Sequence, residues 1–201
     1  MEKSDKPPHQ NPALPEFWDH RFRNQVTPWE TLAIQPELRT FVEHQAQPLR
    51  ALIPGCGSAL EARLLCEAGW EVTALDFSAV AVERARNELG PWQHCVQQGD
   101  FFHHAFSQPF DLILERAFLC ALPRKLWPGY APRCAELLVP GGRIAGYFFF
   151  GSELKGPPFA VEPEALEHLL TPYFVRTDDR AASASIAIFS GKERWQTWER
   201  R

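Results

Sequence analysis

Glycines and an acidic residue stand where an α/β fold binds a nucleoside. Gly55 and Gly57 follow the short apolar run 51–53, and leucines and alanines recur at helical spacing from 59 to 68. Glycine lets a backbone approach a ligand closely, and a helix that follows presents unpaired N–H groups. A second apolar run ends at Asp76, whose carboxylate can accept the hydroxyl protons of a ribose. The stretch therefore predicts a βαβ unit with a nucleoside site at its first turn.

A second acidic residue, Asp100, follows the predicted third strand, 92–97. It precedes Phe101 and Phe102, and this arrangement suits the amino group of adenine, with an apolar ring covering the base. The alternative is a turn aspartate beside two core phenylalanines. Because Asp76 ends the neighbouring strand of the predicted sheet, we favour the ligand.

Two opposite charges, Glu115 and Arg116, end the predicted fourth strand, 110–114. Ligands of open α/β sheets bind at this edge, so we expect the reaction here. The competing explanation is a structural ion pair between the two residues.

The glycine turn also indicates which nucleoside fits. A dinucleotide site requires a third glycine three residues after the second, and this chain has Leu60 there. S-adenosylmethionine has no pyrophosphate, and its methionine part needs only room beside Gly55, Cys56 and Gly57. Three alternatives stay open: a tight turn without a ligand, an NAD-dependent oxidoreductase, and a regulator that binds S-adenosylmethionine without chemistry.

Aromatic residues precede the first strand and predict a lid. Trp18 and Phe22 lie within reach of one helical face, and Trp29 follows Pro28 on an irregular segment. A sulfonium cation is attracted to aromatic faces, and a closed lid excludes water. For Trp18 and Phe22 the alternative is a hydrophobic plug against the sheet.

Length and composition predict one α/β domain. The chain has 201 residues, 45% of them hydrophobic and 23% charged, with a net charge of −4 that gives no support to nucleic-acid binding. No apolar run approaches the ~18 residues of a membrane helix, so we expect a cytoplasmic protein without membrane contact. The 5 cysteines show no paired spacing, and we expect no metal site. We expect a mobile tail at 1–15 and a single domain at 16–201, with lid helices at 16–46.

The remaining pattern continues the alternation of helices and strands. We expect helices at 79–89, 128–139 and 162–170, and strands at 143–150, 173–178 and 193–199. The last is the closing antiparallel strand, preferred over the alternating run 185–189.

Seven blocks in this order resemble the thiopurine methyltransferase family, which includes halide and thiol methyltransferases. The blocks are Phe17-Trp18 with Thr27-Pro28-Trp29, Leu52 to Gly57, Leu75 to Ser78, Gly99 to Phe102, Phe110 to Ile113, Glu115 to Pro123, and Gly156 to Phe159. The resemblance implies a class I methyltransferase: a Rossmann-like three-layer sandwich whose seven-stranded sheet is mostly parallel with one antiparallel strand.

The resemblance also implies roles for single residues, with S-adenosylmethionine as the cofactor. Trp18 and Trp29 close over it, Gly55 lies along its methionine part with Cys56 and Gly57, Asp76 and the adjacent Phe77 hold the ribose end, Asp100 and Phe101 hold the adenine, and Arg116 stands between cofactor and acceptor. Relatives often carry another aromatic residue where this chain has Phe22.

Many halide-directed members have a tyrosine at the position of Arg116, which moves the expected acceptor towards a small-molecule thiol. A guanidinium near a thiol favours the thiolate, so Arg116 is the expected catalytic residue, with Glu115 as a possible base or as the group that orients it. Halide, selenium or tellurium, oxygen and nitrogen acceptors stay open. We expect a monomer.

Overall fold

The computed structural model describes residues 7–30 and 33–201, which form a seven-stranded sheet between two layers of helices. The strands are β1 (Arg50–Pro54), β2 (Glu71–Asp76), β3 (Val96–Gln98), β4 (Phe110–Arg116), β5 (Leu138–Phe149), β6 (Phe174–Ala181) and β7 (Glu193–Arg200). The helices are α1 (Pro15–Arg23), α2 (Pro36–Glu43), α3 (Leu60–Glu67), α4 (Ala79–Leu89), α5 (Trp127–Leu137) and α6 (Pro163–Leu170). No described helix has the length and hydrophobicity that a membrane crossing requires.

The sheet order is β3-β2-β1-β4-β5-β7-β6. Strands β1 to β5 are parallel, and β7 runs antiparallel to both β5 and β6. The predicted fold class is therefore confirmed, including its single reversed strand. The strand order reverses between β1 and β4, which is the point where open α/β sheets bind ligands.

Both faces of the sheet are covered, which explains the continuous apolar run in β4. Leu112 and Leu114 pack on the side of α2, α3 and α4, while Ile113 packs on the side of α5 and α6. Alternate residues of a strand point to opposite faces, so each layer receives its own set of side chains. The same alternation separates Glu115 from Arg116 at the end of β4.

The predicted starts of the third and fifth strands were wrong. Residues Gly90–Cys95 form a 3₁₀ helix, and only Val96–Gln98 joins the sheet, because Pro91 begins the turn and cannot donate to a ladder. Strand β5 begins at Leu138, directly after α5, rather than at Arg143. Leu138 pairs with Phe110, and residues 139–142 then bulge from the ladder before Arg143 pairs with Leu112.

The predicted tail, 1–15, lies partly outside the described residues. From Pro7 onward the chain turns through the 3₁₀ helix Pro8–Gln10, and α1 begins at Pro15. The carbonyl of Pro12 accepts a hydrogen bond from Trp18 Nε1 at 2.9 Å, so this part of the chain packs on the lid. Of the two alternating C-terminal runs, the favoured one, 193–199, is the closing strand, and Ala187–Phe189 in the other forms a 3₁₀ turn.

Candidate active site

A cavity of about 500 Å³ opens at the carboxyl ends of β1, β2 and β4. It lies at the switch point of the sheet because the turns after these strands diverge there. Every residue predicted to bind the cofactor lines it: Trp18, Phe22, Trp29, Gly55, Cys56, Gly57, Asp76, Phe77, Asp100, Phe101 and Arg116. Cavities of this volume accommodate ligands the size of a nucleoside derivative.

The glycine turn after β1 forms the floor of the cavity. Gly55 has φ +60°, and a Cβ built on it would lie 2.7 Å from Cδ2 of Phe118. Gly57 has φ +52°, and its built Cβ would lie 3.6 Å from Cζ of Phe22 on the lid. Both positions therefore require glycine for backbone conformation, and Gly55 also requires it for space.

Asp76 lies at the tip of β2 and is buried beside this turn. Its Oδ2 accepts from the N–H of Gly57 at 3.1 Å, and its Oδ1 accepts from the N–H of Ser78 at 2.9 Å. Burial raises the pKa of this carboxyl to about 6, against the lowering effect of those N–H donors, and Asp19 nearby also raises it. Each carboxylate oxygen keeps a second lone pair for a ligand, so the residue can connect the glycine turn to a diol.

Asp100 and Phe101 combine both interpretations of their motif. Asp100 caps its own turn, accepting from Phe102 N at 3.0 Å and pairing with His103 Nδ1 at 2.7 Å. Its side chain is 47% exposed, so it stands at the rim of the cavity. Phe101 is a core residue whose ring contacts that of Phe118 at 5.1 Å between centroids, and it also lines the cavity.

Three aromatic rings form the lid over the glycine turn. Trp18 and Trp29 meet edge to face with 5.4 Å between ring centroids, and Phe22 meets Trp29 at 6.2 Å. Phe22 is buried against the turn, whereas Trp18 and Trp29 are half-buried. The cavity wall on this side is therefore apolar and aromatic, as a sulfonium site requires.

Polar contacts hold the lid to α4. Asp19 of α1 accepts from the hydroxyl of Ser78 at 2.6 Å and from Val80 N at 3.3 Å. Glu30, directly after Trp29, pairs with Arg84 of α4 at 2.9 Å. The lid is thus fixed to the helix that follows Asp76.

Arg116 lines the cavity as predicted, but its ionic partners differ from those expected. Its Nη1 pairs with Glu193 of β7 at 2.8 Å, and its Nε lies 3.6 Å from Glu61 of α3. The guanidinium lies 5.5 Å from the ring of Tyr147 and 5.6 Å from that of Phe189. Within the described chain its Nη2 is buried without a hydrogen-bond partner, which leaves one arm for a ligand.

Glu115 is absent from the cavity wall, and the structure does not bring it to the reacting groups. It is buried on the opposite face of the sheet, where Oε1 accepts from Phe118 N at 2.8 Å and Leu119 N at 3.0 Å, and Oε2 accepts from the hydroxyl of Tyr130 at 2.7 Å. Burial raises the pKa of Glu115. Glu115 was expected to act as a base or to orient Arg116. The structure corrects this: Glu115 supports the turn after β4.

Two cysteines, Cys56 and Cys120, also line the cavity. Burial raises the pKa of both thiols, so both stay protonated at neutral pH. The thiolate is the nucleophilic form of cysteine. The protein's own sulfurs are therefore kept unreactive beside an expected methyl donor.

Three acidic residues of the site escaped sequence reasoning. Glu61 stands in the first turn of α3, four residues after Gly57, and this position at the ligand edge was a usable signal. Glu30 directly follows Trp29 in the chain, and this position was also a usable signal. Glu193 is 77 residues from Arg116 in the chain, and no local pattern connects the two.

Comparisons with known proteins agree with this geometry. A probable thiol methyltransferase 2 of Arabidopsis thaliana is 31% identical over 161 residues, which cover 77% of this chain and 71% of that protein. Thiocyanate methyltransferase 1 of Brassica oleracea is 28% identical over 190 residues, 91% of this chain and 84% of that protein. The crystal structure of Burkholderia thailandensis 1,6-didemethyltoxoflavin-N1-methyltransferase, with 1,6-didemethyltoxoflavin and S-adenosylhomocysteine bound, has a TM-score of 0.74 at 19% identity, covering 100% of this chain and 93% of that one.

The fold and the position of the cavity define a class I methyltransferase that uses S-adenosylmethionine. The sequence profile of the thiopurine S-methyltransferase family matches residues 13–201, and the chain belongs to that family. The oxidoreductase and the regulator without chemistry are thereby set aside.

Proposed function

We propose that this enzyme transfers the methyl group of S-adenosylmethionine to the sulfur of a small-molecule thiol. The observation that supports this acceptor is the wall of the cavity next to Arg116. Trp29, Cys120, Pro158 and Phe189 make that wall apolar, and Arg116 supplies one buried arm, Nη2, without a partner. An apolar pocket with a single hydrogen-bond donor fits a soft sulfur nucleophile.

The residues present also fit the cofactor. Asp76 would hold the ribose, Asp100 and Phe101 the adenine, and Gly55 lets the backbone pass close to the methionine part, where any larger residue would meet Phe118. When bound, S-adenosylmethionine supplies a methyl group on a sulfonium, which a nucleophile takes by in-line displacement. The protein's own task is to align the acceptor and to exclude water.

Arg116 acts on the acceptor through Nη2. Its positive charge is shared with Glu193 and Glu61, so its effect on the pKa of a thiol comes from direct hydrogen bonding more than from long-range charge. A hydrogen bond from Nη2 stabilises a thiolate next to the methyl donor. We assign no general base, because a thiol needs only to lose its proton to solvent to become the reactive thiolate.

A panel of acceptors with labelled S-adenosylmethionine tests the proposal. Thiols, thiopurines, selenols, halides, and matched alcohols and amines are each supplied at one concentration, and methylated product is counted. We expect thiols to give the highest kcat/KM and alcohols of the same shape to give none. A higher kcat/KM for a halide, alcohol or amine than for every thiol would contradict the proposed acceptor class.

Cofactor affinity is expected to depend on pH through Asp76. The ionised carboxylate accepts both ribose hydroxyls, and burial places its pKa at about 6, so binding weakens as the pH falls through that value. Between pH 7.5 and pH 5 we expect the affinity for S-adenosylhomocysteine to fall about tenfold, because only about one tenth of a carboxyl with this pKa is ionised at pH 5. Calorimetry at intervals of pH measures this. The same titration of Asp76→Asn corrects for ionisations of the ligand, and equal pH profiles in the two proteins would contradict the assignment.

The cytoplasmic location and the monomeric state stay predictions. They are supported only by the composition of the chain and by the family resemblance.

A further inference from the structure

The lid and the glycine turn bring a glutamate to the end of the cavity where the methionine part of the cofactor is expected. Glu30 lines the cavity, and its Oε2 is held by Arg84 of α4. Its Oε1 is buried and has no hydrogen-bond partner within the described chain. That oxygen lies 3.8 Å from a Cβ built on Gly57, so it faces the glycine turn.

A second glutamate, Glu61, lines the same end. Its side chain is 12% exposed and that of Glu30 is 14% exposed, so both carboxylates are largely removed from water. Burial raises the pKa of Glu61; Arg116 lowers it, and the nearby charge of Glu30 raises it further. Two buried carboxylates in one space repel, and a cation between them relieves the repulsion.

An independent observation also points to a ligand at this end. The side chain of Arg116 is 8% exposed, lines the same cavity, and presents Nη2 without a partner in the described residues. Leaving a buried charged group without a partner costs free energy, so charged groups of a ligand are expected at this end of the cavity. The acceptor thiolate supplies the negative group for Arg116, and the α-ammonium of an amino acid is a positive group that fits Glu30.

We propose that Glu30, with Glu61 beside it, binds the α-ammonium group of the methionine part of S-adenosylmethionine. This deepens the proposed function and rests on it, because it takes the cavity to be the cofactor site. The lid segment then recognises the amino-acid end of the cofactor directly, through a carboxylate that Arg84 holds in place. The aromatic side chains of the lid cover the sulfonium, and Glu30 contacts the ammonium group.

Calorimetry with three ligands tests this: S-adenosylhomocysteine, its deaminated analogue, which keeps the carboxylate, and its decarboxylated analogue, which keeps the amine. In the unmodified enzyme, loss of the amino group should weaken binding about 10- to 100-fold, the value of one charge-assisted hydrogen bond. Glu30→Gln should weaken S-adenosylhomocysteine and the decarboxylated analogue by about tenfold or more, and the deaminated analogue by less than about threefold. Glu43→Gln, an exposed glutamate of α2, is the matched control and should change none of the three.

Three outcomes would overturn the proposal. If Glu30→Gln weakens all three ligands equally, Glu30 only holds the lid; if it weakens none, the carboxylate does not contact the cofactor. Glu61→Gln separates the two acids, and loss of amine discrimination in that variant alone would move the site to Glu61 and refute the assignment of Glu30. Failure of the proposed acceptor class is distinguishable, since it would leave this binding pattern intact while thiols remain unmethylated.

Discussion

Replacing Asp76 by alanine is expected to weaken S-adenosylhomocysteine binding by at least about 100-fold, because two hydrogen bonds to a charged acceptor are lost, about 3 kcal/mol or more in total. The substitution also has a structural effect besides the loss of the contacts with the ribose. The carboxylate also accepts from Gly57 N and Ser78 N, so its removal frees the glycine turn from the start of α4. Calorimetry measures the affinity.

Asp76→Asn separates these two effects. Its amide oxygen can replace one of the two backbone contacts, while the ability to accept two ribose protons is lost. Thermal unfolding of both variants shows whether the turn has been disturbed, and Asp178→Ala in β6, far from the cavity, controls for loss of a carboxylate elsewhere. Unchanged affinity in a folded Asp76→Ala protein would reject the ribose assignment.

Removing the guanidinium of Arg116 is expected to lower kcat/KM for the best thiol by about 100-fold while changing the affinity for S-adenosylhomocysteine only a few-fold. A guanidinium that lowers the pKa of the bound thiol raises its thiolate fraction and also aligns the sulfur for in-line attack, and the two effects together give a factor of about this size. The rate falls because contacts with the acceptor are lost, while the contacts with the ribose and the adenine are kept. Single-turnover rates and calorimetry on the same samples separate the two quantities.

The simple alanine variant has a structural complication. Arg116 neutralises Glu193 and approaches Glu61, both largely buried, and leaving such a charge unpaired typically costs about 3–5 kcal/mol. Arg116→Met combined with Glu193→Gln removes the cation and one uncompensated carboxylate together, and Glu193→Gln alone is its control. If the double variant folds, binds S-adenosylhomocysteine and methylates thiols at the unmodified rate, Arg116 has no catalytic part.

Arg116→Lys tests the geometry of Nη2. A lysine keeps the positive charge and the pair with Glu193, but it cannot also extend a second arm into the cavity. We expect it to restore stability without restoring the full rate. Recovery of both would show that charge alone is sufficient.

The ligand-lining positions were accessible from the chain alone because each follows directly from a local signal. Gly55, Asp76, Asp100 and Arg116 each stand at or just after the end of a short apolar strand, and parallel strands in one sheet place those ends along a common edge. The order of strands and helices, and hence the class of fold, follows from the alternation of apolar periods. These predictions needed no knowledge of long-range contacts.

Boundaries and partners depended on packing instead. The segment before β3 alternates like a strand, yet it forms a 3₁₀ helix because only Val96–Gln98 finds a neighbour in β2. Glu115 and Arg116 are adjacent in sequence and looked like an ion pair, but consecutive strand residues face opposite sides of a sheet. Glu115 therefore supports the turn after β4 by accepting from Phe118 N and Leu119 N, and Arg116 pairs with Glu193 of β7.

The apolar period, the glycine turn and the strand-end carboxylates are properties of short stretches, and they predicted an α/β fold with a nucleoside site. The class I methyltransferase followed from the resemblance of seven short blocks to one family. The pairing of charged side chains could not be predicted from short stretches. Glu193, Glu61 and Glu30 meet around Arg116 and Gly57 only after distant strands, a helix and the lid have packed together. Electrostatic pairing is decided by distance in space, and that distance is independent of separation along the chain.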